Sequence, residues 1–317
     1  FTTNKAQAAP VIVSREHLQH SGGLARAIIV NSGCANACTG PEGMAVARST
    51  ADFVAAIVGC RADHVLVAST GVIGVQLDLD KLRKGAGEAT RGLSREAAGD
   101  AATAIMTTDT SPKSAAVAVT TAAGTFRVGG MAKGAGMIEP HMATMLGFIT
   151  TDAIVAAPLL QRALREAADV TFNAITIDGD TSTNDTVFLL ASGASGVPVD
   201  DAMYPAFAAA LREVCGTLAR AIVRGGEGAT KLVAVSASGA ASDADATRAA
   251  HTIANSLLVK TAIHGGDPNW GRLLAAAGRA GVAVTHCGEI VSGTGLRVLD
   301  AAGQVLPASW RGFDHFA

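Results

Sequence analysis

The chain has 317 residues, of which 49% are hydrophobic, 16% are charged and only 4% are aromatic. This composition is typical of a compact globular protein whose interior is filled by small and aliphatic side chains, and it excludes a disordered chain. The net charge of −2 gives no indication of a nucleic acid or an anionic membrane surface as a partner.

Other global features point to a cytoplasmic protein. No apolar run is long enough for a transmembrane helix, and the first residues have no signal-peptide pattern. The five cysteines are odd in number and irregularly spaced, so a disulfide framework is not expected. Cys34 and Cys38 have no second pair of ligands nearby, so no metal site is expected either. The chain does not begin with Met, so we expect it to be partial or processed upstream.

Short β-type runs alternate with Ala-rich helical stretches along the whole chain. In the first half, strands are predicted at 25–30, 64–69 and 144–150, helices at 44–59 and 96–107, and a hairpin at 114–120 and 125–129. In the second half, helices are predicted at 158–170, 206–224, 243–260 and 272–280, and strands at 186–191 and 231–235. This interleaving predicts an α/β fold with layered α+β character, without fixing the order of its strands.

The segment 133–146, KGAGMIEPHMATML, contains the most reactive arrangement. The hydroxyl of Thr144 can attack the carbonyl of Ala143 and form an ester that water then opens. The freed α-amine, which ordinarily titrates at about 7.7–8.0, would need only a modest downward shift to act as a base for the Thr144 hydroxyl. Taken alone, the dipeptide is better explained as the start of a strand, where Thr is favoured.

Two further segments supply hydroxyl groups and main-chain N–H groups. Residues 69–74, STGVIG, follow a predicted strand, and such a hydroxyl and N–H can hold a tetrahedral oxyanion. An ordinary strand-to-loop turn explains the same residues. Residues 106–110, MTTDT, close a helical stretch with four polar residues, which is more than a cap needs.

Two charged residues suit an amino-acid substrate. Lys133 can bind a carboxylate as a point charge, and the alternative is a solvated surface lysine. Glu227, which lies between glycines, can bind a cationic amine or be an ordinary loop carboxylate. The segment 178–185, DGDTSTND, has the composition of a calcium loop, but Leu189 stands where the bidentate Glu of an EF-hand is required, so we reject that interpretation. Segment 264–272 is rich in polar residues and turn formers. This composition is equally typical of a segment that supports a substrate pocket and of one that supports an interface.

Taken together, these motifs resemble the bifunctional ornithine acetyltransferase/N-acetylglutamate synthase family of arginine biosynthesis. The matching segments run in the family's order: 1–4, 31–40, 69–74, 104–110, 133–146, 178–187, 226–231 and 254–278. Each motif is weak alone, but the ordered set is specific.

The resemblance implies a self-processed fold with an N-terminal Thr nucleophile. The precursor would be cut between Ala143 and Thr144 into an α chain, 1–143, and a β chain, 144–317. These chains would share a central sheet and assemble as an α2β2 heterotetramer.

The resemblance also implies the reaction and its residues. Thr144 would take acetyl from N2-acetyl-L-ornithine, release L-ornithine, and pass the acetyl to L-glutamate in a ping-pong cycle. Acetyl-CoA is an additional donor in some members, and no cofactor is implied. Thr70 and Gly71 would stabilise the oxyanion, and the substrate would contact Thr107, Lys133, Thr144 and Glu227.

Two alternatives to this enzyme remain. Family members extend beyond this C-terminus with pocket residues, and residues 282–317 do not follow their pattern, so a truncated, non-catalytic homologue would act as a binding or assembly subunit. A self-cleaving amidohydrolase or aminopeptidase would instead pass the acyl group to water.

Overall fold

The computed structural model describes residues 1–139, 145–282, 298–299 and 304–306. The chain forms two compact units, Phe1–Ala229 and Thr230–Ala317. The predicted division between residues 143 and 144 is a division of the covalent chain, and it falls inside the first unit. Both residues of that step, Ala143 and Thr144, lie outside the described residues.

The first unit contains six helices and six strands among its described residues. Its helices are α1 (Ala9–His20), α2 (Gly40–Val58), α3 (Leu79–Arg91), α4 (Ala98–Ala104), α5 (Ala157–Asp169) and α6 (Tyr204–Arg224). Its strands are β1 (Ala27–Cys34), β2 (Val65–Val72), β3 (Lys113–Thr121), β4 (Gly124–Lys133), β5 (Leu146–Thr151) and β6 (Thr186–Ala191). This interleaving of strands and helices agrees with the predicted mixed α/β class.

The strands form two sheets. The larger sheet has the order β3-β4-β5-β6, in which β5 runs antiparallel to β4 and parallel to β6. The smaller sheet pairs β1 and β2 in parallel. Strands from both sides of residues 143 and 144 therefore lie in the larger sheet, with Lys133 of β4 directly opposite Leu146 of β5.

The first unit has four layers, in the order α5 and α6, the larger sheet, the smaller sheet, and α1 and α2. Hydrophobic cores fill the spaces between them. Ile149 of β5 faces a core completed by α5 and α6, to which Phe207 and Leu218 contribute. Leu146 and Phe148, on the opposite face of β5, pack with Leu66 of β2 in a second core. Helices α1 and α2 cover the far side of the small sheet. Because side chains of a strand point alternately to opposite faces, each β5 residue serves one core.

Helix starts follow ordinary capping chemistry. The Asp78 side chain accepts hydrogen bonds from Asp80 and Lys81 N–H at the start of α3. Prolines occupy the first turn of α1, α2, α5 and α6, where the missing N–H costs no hydrogen bond. No helix in the described part of the chain is long and apolar enough to cross a membrane.

The second unit contains α7 (Asp243–Ala254), α8 (Leu257–Gly265), α9 (Trp270–Arg279) and the short antiparallel pair β7 (Val298–Leu299) and β8 (Val305–Leu306). The predicted strand at 231–235 is wrong, because no described strand pairs with it and its main chain adopts no regular structure. The predicted helix at 243–260 is two helices. The side chain of Ser256 accepts a hydrogen bond from Val259 N–H and so begins α8 separately.

The remaining predicted elements are confirmed, with shifted ends. The hairpin is β3–β4, the strand at 186–191 is β6, and the helix at 96–107 is shortened to α4. The strand predicted from Thr144 is described from Leu146 onward. Helices α1 and α3 were not predicted.

Candidate functional site

Two glycines bring β1 and β2 into close contact where the small sheet ends. Gly71 pairs with Gly33 and has a φ of 130°, a region that favours glycine. A Cβ added at Gly71 would lie 2.2 Å from the carbonyl carbon of Gly33. Only glycine permits this approach of the two strands. The segment 69–74 that we predicted as a turn therefore begins within β2, which ends at Val72.

Lys133 joins two of the predicted site residues. Its ammonium donates to Thr107 Oγ1 at 2.8 Å and to Thr70 Oγ1 at 3.1 Å. Lys133 is 2% exposed, so its interpretation as a solvated surface lysine is wrong. Because an ammonium group only donates, the hydroxyl proton of Thr70 stays available for another acceptor.

Asp109 neutralises part of this buried charge. Its carboxylate accepts from Lys113 Nζ at 2.6 Å and from Gly134 N–H at 2.7 Å, and it lies 3.7 Å from Lys133 Nζ. Burial raises the pKa of Asp109, but the hydrogen bonds from Gly134 and Lys113 and the charge of Lys133 outweigh it, and the net shift is downward. The cluster contains two lysines and one aspartate, a formal charge of +1 that favours an anionic ligand.

For Lys133, the effect of burial on the pKa is larger than the effect of the Asp109 charge. Desolvation lowers the pKa of Lys133, and the neighbouring Lys113 adds to this shift. Asp109 raises it, but not enough to restore the ordinary value. The Lys133 ammonium is thus held in place by its hydrogen bonds at a cost in desolvation.

A small cleft opens beside these groups. It encloses about 220 Å³, part of which is open to solvent, and its lining residues are Ala35, Thr70, Gly71, Ile73, Met137, Ser182, Thr183 and Asn184. The cleft therefore combines the predicted oxyanion pair with apolar side chains and the loop at 182–184.

Asn184 fixes one wall of this cleft. Its side-chain amide donates to Ala35 O at 2.7 Å and to Ser69 O at 2.8 Å. The Ser69 hydroxyl in turn donates to Asn31 Oδ1 at 2.6 Å. The loop that we considered for calcium thus holds the strand end carrying Thr70.

Among the described residues, Glu227 forms no hydrogen bond or ion pair with Lys133, but it contacts the segment that follows Lys133. Its main-chain N–H donates to Ala135 O at 2.7 Å, and its carboxylate packs against Gly136, where a Cβ would lie 2.9 Å from Glu227 Cδ. Its side chain is exposed. A glycine at 136 is what lets this carboxylate approach the segment after Lys133.

The segment that follows the predicted nucleophile is firmly held. Met145 is 1% exposed, and its N–H donates to Asp185 Oδ1 at 2.8 Å. Thr144 and Ala143 lie outside the described residues, so the structure leaves their predicted roles untested. Sequence reasoning missed Asp109, Asn184 and Asp185, although all three lie in segments that it singled out as unusually polar.

The described residues of this site hold no cluster of metal-binding side chains. Across residues 1–139 and 145–282, no three His, Cys, Asp or Glu side chains are arranged to hold a metal ion. Hydroxyls, a buried ammonium and a small cleft lie together where the small sheet ends, and in this mixed α/β protein they form the candidate small-molecule site.

Comparison with known proteins identifies the family to which this mixed α/β protein belongs. The chain belongs to the ArgJ family, whose profile matches residues 1–306. A relative named arginine biosynthesis bifunctional protein ArgJ, from Nitratidesulfovibrio vulgaris, is 52% identical over 91% of this chain and 75% of its own length. Another of the same name, from Symbiobacterium thermophilum, is 52% identical over 89% of this chain and 70% of its own. The chain is accordingly an acyltransferase of an arginine-biosynthesis family.

A solved structure adds a shorter match. The ornithine acetyltransferase of Mycobacterium tuberculosis, complexed with ornithine, is 43% identical and covers 44% of this chain and 74% of that one, with a TM-score of 0.40. At that score the two folds are not shown to be the same.

Proposed function

We propose that this chain is a glutamate N-acetyltransferase that cuts itself between Ala143 and Thr144 and carries acetyl on Thr144. The donor is N2-acetyl-L-ornithine and the acceptor is L-glutamate, so the products are L-ornithine and N-acetyl-L-glutamate. The observation that carries this proposal is the meeting of Thr70, Thr107 and Lys133 opposite Leu146, two residues after Thr144. Family membership supports the same chemistry.

The first half-reaction forms the acetyl-enzyme. The Thr144 hydroxyl attacks the acetyl carbonyl, and the α-amine of Thr144 takes the hydroxyl proton. Negative charge collects on the carbonyl oxygen, where the Thr70 hydroxyl and the Gly71 N–H would stabilise it. Collapse breaks the C–N bond, and the proton returns to the departing ornithine amine.

The second half-reaction repeats these steps with glutamate. Its α-amine attacks the acetyl-Thr144 ester, the same oxyanion site takes the developing charge, and N-acetyl-L-glutamate leaves. Lys133 suits the substrate carboxylate because the buried cluster keeps one positive charge. Glu227 suits the side-chain ammonium of ornithine, and Thr107 helps to orient the substrate.

The proposal includes the assembly expected from the family. Residues 1–143 and 144–317 are an α and a β chain that stay together as α2β2 in the cytoplasm. No cofactor takes part, and acetyl-CoA would serve only as a second acetyl donor.

Intact mass spectrometry of the full chain tests the processing step. Wild type should give fragments of 143 and 174 residues (317 − 143 = 174), whereas Thr144→Ala should stay whole. Thr150→Ala, at an exposed position of β5, is the matched control and should be cut. A wild-type chain that stays whole contradicts both the transferase and the hydrolase and favours the non-catalytic homologue.

Product analysis separates transfer from hydrolysis. Cut protein incubated with acetyl-labelled N2-acetyl-L-ornithine and glutamate should produce labelled N-acetyl-L-glutamate. Labelled acetate alone, at every glutamate concentration, would identify a hydrolase instead.

A further inference from the structure

Two buried lysines lie on opposite faces of the larger sheet, at the edge where β4 ends. Lys113, the first residue of β3, pairs with Ala132, so its side chain points into the core beneath α6. Lys133 is the next residue of β4 and points to the other face, where its ammonium reaches Thr70 of β2. Of the two lysines, it is therefore Lys133 that lies on the face carrying the candidate site.

The end of α6 covers Lys113. A Cβ added at Gly225, the residue that follows α6, would lie 3.3 Å from Lys113 Cε, and Lys113 is 3% exposed. Its ammonium donates to Asp109 Oδ1 at 2.6 Å and to Ser111 O at 3.3 Å. The larger sheet thus lies between Lys113 and the cleft beside Thr70.

The Asp109 carboxylate contacts both lysines, but unequally. Its Oδ1 lies 2.6 Å from Lys113 Nζ, whereas its Oδ2 lies 3.7 Å from Lys133 Nζ. The shorter contacts of Lys133 are with two neutral hydroxyls, those of Thr107 at 2.8 Å and Thr70 at 3.1 Å. A neutral hydroxyl accepts a hydrogen bond without cancelling the charge, so Lys133 keeps a positive charge that an anionic ligand can use.

Main-chain donors fix the position of this carboxylate. Gly134 N–H donates to Asp109 Oδ1 at 2.7 Å, and Thr107 N–H donates to Oδ2 at 3.2 Å. The side chain of Asp109 has no accessible surface. Because the carboxylate is held and a lysine ammonium is carried on a flexible stem, the lysines decide which of them neutralises Asp109.

We propose that Lys113 is a positioning residue for the binding of the substrate carboxylate. It neutralises Asp109 from the opposite face of the sheet, so that the Lys133 ammonium remains available to the substrate. If Lys113 were removed, Lys133 would be the nearest cation left to Asp109. An unpaired buried carboxylate is costly enough to draw that ammonium away from the substrate. This inference rests on the substrate contact given to Lys133 in the proposed function.

Formal charges give the consequence of each substitution. Lys113, Lys133 and Asp109 together carry a charge of +1. Lys113→Met leaves no net charge, whereas Asp109→Asn/Lys113→Met restores +1, all of it on Lys133. Desolvation is the largest cause of the lowered pKa of Lys133, Lys113 adds to it, and Asp109 and Asp185 oppose it. Removing Lys113 therefore raises the pKa of Lys133, which stays charged but becomes paired with Asp109.

Two ligands that differ by one carboxyl group test the proposal. L-Ornithine carries the carboxylate, and 1,4-diaminobutane is the same diamine without it. In ligand-observed NMR titrations of the full-length protein, Lys113→Met should weaken L-ornithine binding roughly tenfold and leave 1,4-diaminobutane binding unchanged. Asp109→Asn/Lys113→Met should recover most of the L-ornithine affinity.

Lys84→Met is the matched control, because it makes the same chemical change at an exposed position of α3. It should bind both ligands as wild type does. Equal weakening of both ligands by Lys113→Met would show a purely structural role and overturn the proposal. Unchanged binding of L-ornithine by Lys113→Met would overturn it as well.

The double variant keeps the proposal testable if Lys113→Met does not fold, since it removes both members of the buried pair. L-Ornithine binding by Asp109→Asn/Lys113→Met that is as weak as binding by Lys133→Met would overturn the proposal. A wild-type protein that binds no L-ornithine would instead contradict the proposed substrate, on which this inference rests.

Discussion

At the scale of single residues, the hydrogen bond from Lys133 fixes how the Thr70 hydroxyl is used. Lys133 donates to the Thr70 oxygen at 3.1 Å, so the hydroxyl proton remains available for the oxyanion of the proposed reaction. Thr70→Val removes that donor with little change in shape and should lower kcat by roughly 100- to 1000-fold. Thr70→Ser, which keeps the hydroxyl, should retain most of the rate. Equal kcat values for Thr70→Val and wild type would exclude Thr70 from the oxyanion site.

Lys133 supplies the charge that we assign to the substrate carboxylate. A hydrogen bond to a charged group contributes about 1.5–3 kcal/mol, so Lys133→Met should lower kcat/KM by roughly 10- to 150-fold. Lys84→Met, an exposed lysine of α3, is the matched control and should match wild type. Full-length steady-state kinetics with both substrates measures the effect, and a Lys133→Met enzyme as efficient as the control would contradict the assignment.

The sequence predicted some members of this site but not their surroundings. Thr70, Thr107 and Lys133 were identified by motif and they meet in space. The burial of Lys133 was not predictable, because it depends on Asp109 and on strand pairing 13 residues away in sequence with Leu146. Local sequence does not reveal partners that are distant along the chain. For the same reason, Asp185 was interpreted as part of a polar loop and not as the hydrogen-bond acceptor of Met145 N–H.

At the scale of elements, the close approach of β1 and β2 depends on Gly71. An alanine there would place its Cβ 2.2 Å from the Gly33 carbonyl carbon, at a φ that disfavours side chains. We expect Gly71→Ala to lower the free energy of unfolding by roughly 2–4 kcal/mol and to abolish transfer. Urea unfolding with an activity assay measures both effects.

Gly85→Ala is the matched control for this substitution. Gly85 lies inside α3, and an added Cβ would meet nothing within 4 Å. Alanine is favoured over glycine in a helix, so this variant should gain about 0.5–1 kcal/mol and keep its activity. A Gly71→Ala protein as stable as Gly85→Ala would mean that the strand ends separate without cost.

Elements with a strong local signal were the ones predicted correctly. Residues 186–191 form β6 as expected, since the segment begins with two β-branched residues and an aromatic one, Thr186, Val187 and Phe188. Residues 231–235 have a similar apolar run but no ladder partner in the described structure, and a strand requires such a partner for its main-chain hydrogen bonds. Propensity alone does not supply that partner.

At the scale of the whole molecule, the predicted cut falls between two paired strands. Six residues of β4, Val128–Lys133, pair with β5, and Leu146 and Phe148 are buried beneath the small sheet. The 143- and 174-residue fragments should therefore co-elute in native size exclusion and separate only under denaturing conditions. Separate elution of the fragments would contradict a sheet shared by the two chains.

The central claim is that Thr144 carries the acetyl group, and one measurement tests it most directly. Cut protein is incubated with N2-acetyl-L-ornithine without glutamate, and the intact masses of both fragments are recorded. We predict that the fragment beginning at Thr144 gains the mass of one acetyl group, located on Thr144 by peptide mapping, and loses it when glutamate is added. An unmodified 144–317 fragment under conditions in which N-acetyl-L-glutamate forms would contradict the claim.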